Sequence, residues 1–141
     1  MHHLDERTTH FLAVDDDYLG LMNVEQAFAR TRYRHHLWTA SDGHEALALL
    51  RSDAMPATRR VILLDAHMPR MDGLSMLREL RADPCLRLAT VLMLTSSTDP
   101  RDRADAFHLN VAGYVVKPIR FAAFVELITA ICRYWTVVDL P

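Results

Sequence analysis

Val61-Ile62-Leu63-Leu64-Asp65 is an unbroken apolar run closed by a carboxylate. Lacking polar alternation, it reads as a strand buried on both faces, the condition of a central strand in a parallel sheet. Two further strand-like segments precede it, His10 to Val14 and Leu37 to Thr39, and two follow, Val91 to Leu94 and Gly113 to Val116. Longer amphipathic stretches separate them. Leu19, Met22, Ala27 and Phe28 recur at near-helical spacing up to Arg30. Ala46, Leu47, Leu49 and Leu50 form the stripe of a second helix, which Ser41 or Asp42 can cap and which ends before Pro56. A third helix over 74–81 stops before Pro84, because proline disfavours the helical conformation of the residue ahead of it. A fourth, over 100–109, sets charge on one side and Ala104, Phe107 and Leu109 on the other; a fifth covers 119–133. Strands alternating with helices predict an α/β fold, a doubly wound parallel sheet of five strands with five helices.

The 141 residues suit one domain, with no room for a second, and 50% hydrophobic content is enough to bury a core without disulfides. A charged fraction of 24% and a net charge of −2 argue against disorder and against a generally basic nucleic-acid surface. Arg30, Arg32 and Arg34 read as a solvated edge. The N-terminal segment, residues 1–9, has no signal-peptide core, and no later run is long enough to span a bilayer, so the expectation is a soluble, cytoplasmic protein without a membrane partner. Cys85 and Cys132 lack C-x-x-C spacing and read as ordinary small side chains.

In open parallel sheets, ligands bind beyond the carboxyl ends of the strands, where the strand order reverses. Those ends carry Asp15-Asp16-Asp17, Asp65, Thr95-Ser96-Ser97 and Lys117-Pro118. One acidic run after a strand is usually a helix cap, and Asp17 is read that way. Several carboxylates at one edge repel each other unless they share protons or hold a hard cation with oxygen ligands. Mg²⁺ suits the set, since it takes one or two carboxylates, keeps waters and fills its remaining positions with phosphate oxygens. Asp65 is ionised at neutral pH and needs no general base to attack phosphorus. Lys117 supplies a cation for the charge that spreads over the transferring oxygens, and Thr95 a hydroxyl donor. The product would be an acyl phosphate on Asp65.

Val14-Asp15-Asp16-Asp17, Leu64-Asp65-Ala66-His67-Met68-Pro69-Arg70-Met71-Asp72-Gly73, Leu94-Thr95-Ser96 and Tyr114-Val115-Val116-Lys117-Pro118 together resemble the receiver domains of two-component response regulators, over nearly the whole chain. The resemblance implies a flavodoxin-like sheet of order 2-1-3-4-5. It implies Asp65 as phosphoacceptor, with uptake and hydrolysis catalysed by the domain itself rather than by a turnover enzyme. It further implies Asp15, Asp16, Asp65 and the backbone carbonyl of His67 as Mg²⁺ ligands, Thr95 and Tyr114 as a switch pair, Lys117 as the phosphate-binding cation, and a cis peptide before Pro118. The His67 side chain either touches the phosphoryl group or faces solvent.

Within the family the chain looks most like the small receivers that partner bacterial phytochromes, because Tyr134-Trp135-Thr136-Val137-Val138-Asp139-Leu140-Pro141 directly follows the fifth helix. That likeness implies a sensor histidine kinase of phytochrome type as phosphoryl donor. Without an output domain the chain would bind no DNA, and would signal by protein contact or phosphoryl relay. The extension 134–141 is set apart from the domain at 10–133. Its Trp135, Val137, Val138 and Leu140 are costly to leave in water; they could fold back on the domain, but the favoured expectation is that they cross a twofold axis to make a homodimer through the fifth helix and the extension, with Thr136 to Val138 able to add as a strand. Two other classes fit less well: a pseudo-receiver that is never phosphorylated, and an aspartyl-phosphate phosphatase, which would place a second Asp where this chain has His67.

Overall fold

The computed structural model describes residues 8–68 and 71–140. Its elements run β1 (Thr9–Val14), α1 (Tyr18–Arg30), β2 (His35–Ala40), α2 (Gly43–Arg51), β3 (Arg60–Leu64), α3 (Gly73–Ala82), β4 (Thr90–Thr95), α4 (Pro100–His108), β5 (Gly113–Val116) and α5 (Phe121–Val137). The five strands form one parallel sheet in the order β2-β1-β3-β4-β5. The order reverses between β1 and β3, so the two central strands bracket the crevice in which such sheets bind ligands.

Side-chain alternation along the strands divides the core in two. Leu12, Val14, Ile62, Leu64, Val91 and Met93 face α2, α3 and α4, while Phe11, Ala13, Val61, Leu63, Leu92 and Leu94 face α1 and α5. Covering both faces is why Val61 to Leu64 is apolar without a break. Four helices start on an aspartate whose side chain accepts a backbone N–H of the first turn: Asp17 from Leu19 (3.1 Å), Asp42 from Glu45 (2.8 Å), Asp72 from Ser75 (2.8 Å) and Asp99 from Arg101 (2.9 Å). The cap of α2 is therefore Asp42; Ser41 instead donates its hydroxyl to Glu45 at 2.7 Å.

Several expectations are corrected. β2 extends to His35 and Ala40 because it is an edge strand, paired on one side only with β1 and tolerant of polar outward residues. On α1, Leu19 is exposed and Val24 takes the buried position. On and just after α4 the expected apolar side is split: Ala104 and Phe107 are exposed while Leu109 packs against the core, and Asp102 and Ala106 are the buried residues of the helix. The peptide before Pro118 is trans, as are all described peptide bonds; the trans form is the lower-energy state of an X–Pro bond.

The largest revision concerns the C-terminal extension. α5 continues through Tyr134 to Val137, so Thr136 and Val137 are helical and add to no sheet. Trp135 is 7% exposed and points from α5 into the core shared with α1; Val138 and Leu140 pack against the same cluster. Arg59 gives the physical reason. Its guanidinium, buried at the opposite edge from the strand carboxyl ends, donates to the carbonyl oxygens of Trp135 (2.5 Å) and Val138 (3.4 Å) and to the Thr9 hydroxyl (3.1 Å). A cation at a helix C-terminus satisfies carbonyls that have no partner within the helix. Of the four tail residues named as dimer candidates, only Val137 remains well exposed, at 72%.

The two cysteines stand apart, Cys85 exposed and Cys132 buried, and burial pushes the Cys132 thiol up to about 12. Among the described residues no helix is long and apolar enough to cross a membrane.

Candidate functional site

Strand register brings the predicted residues together. Val14 pairs with Leu64, so Asp15 and Asp65 leave the sheet side by side, and the Asp65 amide donates to the Val14 carbonyl (3.1 Å). The Lys117 amide donates to the Thr95 carbonyl (2.8 Å), carrying the β4–β5 ladder one step further and setting that lysine at the same edge.

Asp15 is buried; its Oδ1 accepts from the Asp17 amide (3.0 Å) and its Oδ2 from Lys117 Nζ (2.5 Å). Asp65 is half-buried. Its Oδ1 accepts from the Thr95 hydroxyl (2.7 Å) and, more weakly, from the His67 amide (3.4 Å), while Lys117 Nζ lies 3.8 Å from its Oδ2. Burial raises the Asp65 pKa above its ordinary range, and the neighbouring Asp15 charge adds to that; the Thr95 hydrogen bond, the Lys117 charge and the His67 amide oppose them. Asp16 stands exposed at the rim. Carboxylate oxygens of Asp15, Asp16 and Asp65 all lie within 4.8 Å of one another, a set of hard oxygen donors that fits a small divalent cation.

Tyr114 is half-buried against the core of the α2–α4 face, and its hydroxyl donates to the Ser97 carbonyl (3.1 Å). The Thr95 hydroxyl oxygen in turn accepts from the Ser97 amide (3.1 Å). Thr95 and Tyr114 thus meet on one turn of chain. The His67 side chain neither floats free nor turns into the acidic cluster: its Nε2 lies 2.6 Å from Asp102 Oδ2.

Two residues of this region carried no role in the sequence reading. Gly73, at the start of α3, passes so close to β3 that a Cβ there would sit 1.9 Å from the Asp65 carbonyl oxygen, a distance no side chain survives. Its place in the quoted Met-Asp-Gly stretch was the available signal. Asp102 is buried on the first turn of α4 and accepts from the Ser97 hydroxyl (2.6 Å) as well as meeting His67. Nothing in the sequence separates it from an ordinary acidic residue near a helix N-terminus.

The arrangement offers an anionic oxygen nucleophile, a hydroxyl, an ammonium group and a cation-binding carboxylate cluster on one rigid edge. Such a set is suited to receiving a phosphoryl group. Comparison with known proteins agrees with it. The chain is 30% identical over 126 residues to the probable methanogenesis regulatory protein FilR2 of Methanothrix harundinacea, covering 88% of this chain and 81% of that one. It spans only 27% of the response regulator PleD of Caulobacter vibrioides. Among solved structures it resembles the phosphorylated cyanobacterial phytochrome response regulator RcpA (TM-score 0.84, 28% identity, 95% of this chain and 99% of that one). It also resembles the bacteriophytochrome response regulator AtBRR (TM-score 0.67, 32% identity, 86% and 90%). The family model for the response regulator receiver domain matches residues 11–129, and with the fold and the strand-end residues already described, the chain belongs to that family.

Proposed function

We propose that this receiver accepts a phosphoryl group on Asp65, from a sensor histidine kinase of phytochrome type, in a Mg²⁺-dependent reaction. The observation that carries the reading is the setting of Asp65: a half-buried carboxylate bonded to the Thr95 hydroxyl at 2.7 Å, with Lys117 Nζ at 3.8 Å, inside a cluster of three carboxylates. The likeness to RcpA and AtBRR supports the choice of donor.

Asp65 acts as the nucleophile. Its Oδ2, 3.8 Å from Lys117 Nζ, attacks phosphorus as the bond to the donor nitrogen breaks, and that nitrogen keeps the electron pair. Asp15, Asp16, Asp65 and the His67 carbonyl would hold Mg²⁺, which neutralises charge on the phosphoryl oxygens when bound. Lys117 is shared between two carboxylates, nearer to Asp15 than to Asp65. Added negative charge on Asp65 shifts that balance toward the acceptor. Thr95 then donates to a phosphoryl oxygen instead of to Asp65 Oδ1, and the change reaches Tyr114 through Ser97. The domain catalyses its own phosphorylation and hydrolysis and signals through protein contact or relay. Self-association through the outer face of α5 completes the proposal, supported by the exposure of Tyr134 and Val137 on its last turns.

Incubation with acetyl phosphate, with and without Mg²⁺, tests the acceptor by intact mass. Wild type gains one phosphoryl mass only with Mg²⁺, and Asp65→Asn gains none; equal uptake by the variant sends the reaction to another residue.

A further inference from the structure

Arg51, Arg59 and Arg81 each meet oxygen within the chain: Arg51 pairs with Asp83 (3.2 Å), Arg59 reaches the carbonyls of Trp135 and Val138, and Arg81 those of Leu109 and Asn110. Arg30, Arg32 and Arg133 are exposed and have no ion-pair partner among the described residues. Yet these three line one cleft of about 390 Å³, between the turn that follows α1 and residues 129–133 of α5, together with Tyr33 and Thr129. A second cleft, of about 530 Å³, continues from Arg32 and Tyr33 past Arg34 and His36. Among the described residues no carboxylate lines either one. Exposure alternates along residues 31–36: Arg32, Arg34 and His36 stand out while Thr31, Tyr33 and His35 are half-buried, the two-residue period of extended chain. Arg32 lies over the Tyr33 ring, 5.4 Å from its centroid, a contact that uses the face of the guanidinium and leaves its N–H edge for a ligand. The helix dipole accounts for one of the three cations. Arg30 closes α1, where positive charge is favoured, whereas Arg32 lies beyond that helix and Arg133 stands before the last turn of α5. Like charges gathered around a concave surface repel each other and raise the positive potential within it.

We propose that this cleft is a binding site for a diphosphate group, free or carried by a nucleotide. A guanidinium presents its N–H donors as a planar fork that matches two phosphate oxygens at once. Three such charges exceed what one phosphate group can neutralise, since a phosphate monoester carries about −1.5 to −2 near neutral pH. Two linked phosphates match them. Arg30 and Arg32 would hold the group from one side and Arg133 from the other, with the Thr129 hydroxyl as a further donor. A nucleoside attached to the diphosphate would extend into the second cleft, past Tyr33. Both α1 and α5 begin beyond strand carboxyl ends and run back along the sheet, so the cleft lies at the edge opposite Asp65. The two edges differ in chemistry. Around Asp65 a phosphoryl group sits among carboxylates and calls for a divalent cation, whereas the arginine cleft takes its anion without a metal.

Isothermal titration calorimetry in metal-free buffer at fixed ionic strength tests the site with pyrophosphate, ADP, adenosine and sulfate. Pyrophosphate and ADP are expected to bind one to one, and adenosine and sulfate not measurably. Tighter binding of ADP than of pyrophosphate makes the nucleotide the fuller ligand; equal affinity assigns recognition to the diphosphate itself. Arg32→Ala and Arg133→Ala should each weaken pyrophosphate binding about tenfold, as the loss of a charge-assisted hydrogen bond does. Arg133→Lys should recover only part of that loss, because a point charge forms no bidentate pair. In the NMR spectrum, pyrophosphate is expected to move amide signals of residues 30–34 and 129–133. Sulfate bound as tightly as pyrophosphate would reduce the cleft to general charge attraction and overturn the proposal. So would signals that move only around Asp65, Thr95 and Lys117, or neither heat nor shift at millimolar pyrophosphate. Both arginines are exposed, so the variants should fold, which circular dichroism checks; should either fail, Arg32→Gln or Arg133→Gln takes its place. Wild-type affinity in both folded arginine variants overturns the site even if pyrophosphate binds.

Discussion

At Asp65 the same burial that shapes the pocket works against the charged form. Its folded pKa lies above the unperturbed 3.8, so the folded chain holds that proton more tightly than the unfolded chain does. Stability contributed by the protonated form is full below 3.8 and is lost as pH rises through the folded value. At neutral pH the ionised carboxylate is therefore a net cost. With divalent cations chelated, Asp65→Asn should melt at a higher temperature than wild type at pH 7, and the advantage should shrink as pH falls toward 4; a lower melting temperature at pH 7 would contradict this. Gly73 shows the opposite constraint, one of space. Gly73→Ala drives a methyl into the Asp65 carbonyl, and because that neighbour is backbone in a central strand it cannot step aside. We expect a loss of roughly 3 kcal/mol in urea unfolding, toward the upper end for overpacked sites. Gly73 was legible only as part of a motif, since the distance that forbids a side chain exists only after α3 has docked on β3.

Among the elements, α5 departs furthest from its sequence reading. Its periodicity does not stop at Arg133: Ile128, Ile131, Cys132 and Trp135 continue one buried stripe, and Arg59 closes the helix from the far side of the chain. Arg59 has a positive φ of 54°, an uncommon conformation for a side-chain-bearing residue, so the contacts it makes must outweigh that strain. Arg59→Met should cost about 2 kcal/mol, from hydrogen bonds to a charged group, and should speed amide exchange at residues 133–138 while leaving α1 protected. Uniform acceleration across the molecule would mean a global effect rather than a local clasp. The misread face of α4 has a related cause. Hydrophobic spacing over its nine residues favoured Phe107 as core, but Asp102 is drawn inside by two hydrogen-bond donors that the sequence places 35 and 5 residues away.

For the whole molecule, the outer face of α5 is the test of self-association. Trp135 is occupied within its own chain, which leaves Tyr134 and Val137 as the apolar contacts available to a second copy. Wild type should show dimer mass at high micromolar concentration in analytical ultracentrifugation, and Val137→Asp should shift it to monomer by placing a charge in the contact; a monomeric wild type would remove the proposal. The α/β architecture, the sheet edge that bears the chemistry and the membership of Asp15, Asp16, Asp65, Thr95 and Lys117 in one site were legible from the sequence. They rest on local signals, since apolar runs make strands, strands end in their functional residues, and parallel topology gathers those ends. The destination of Trp135, the burial of Asp102, the tether on His67 and the space around Gly73 came from the fold alone. Each depends on contacts between segments distant in the chain, and pairings of that kind leave no periodicity for a single sequence to display.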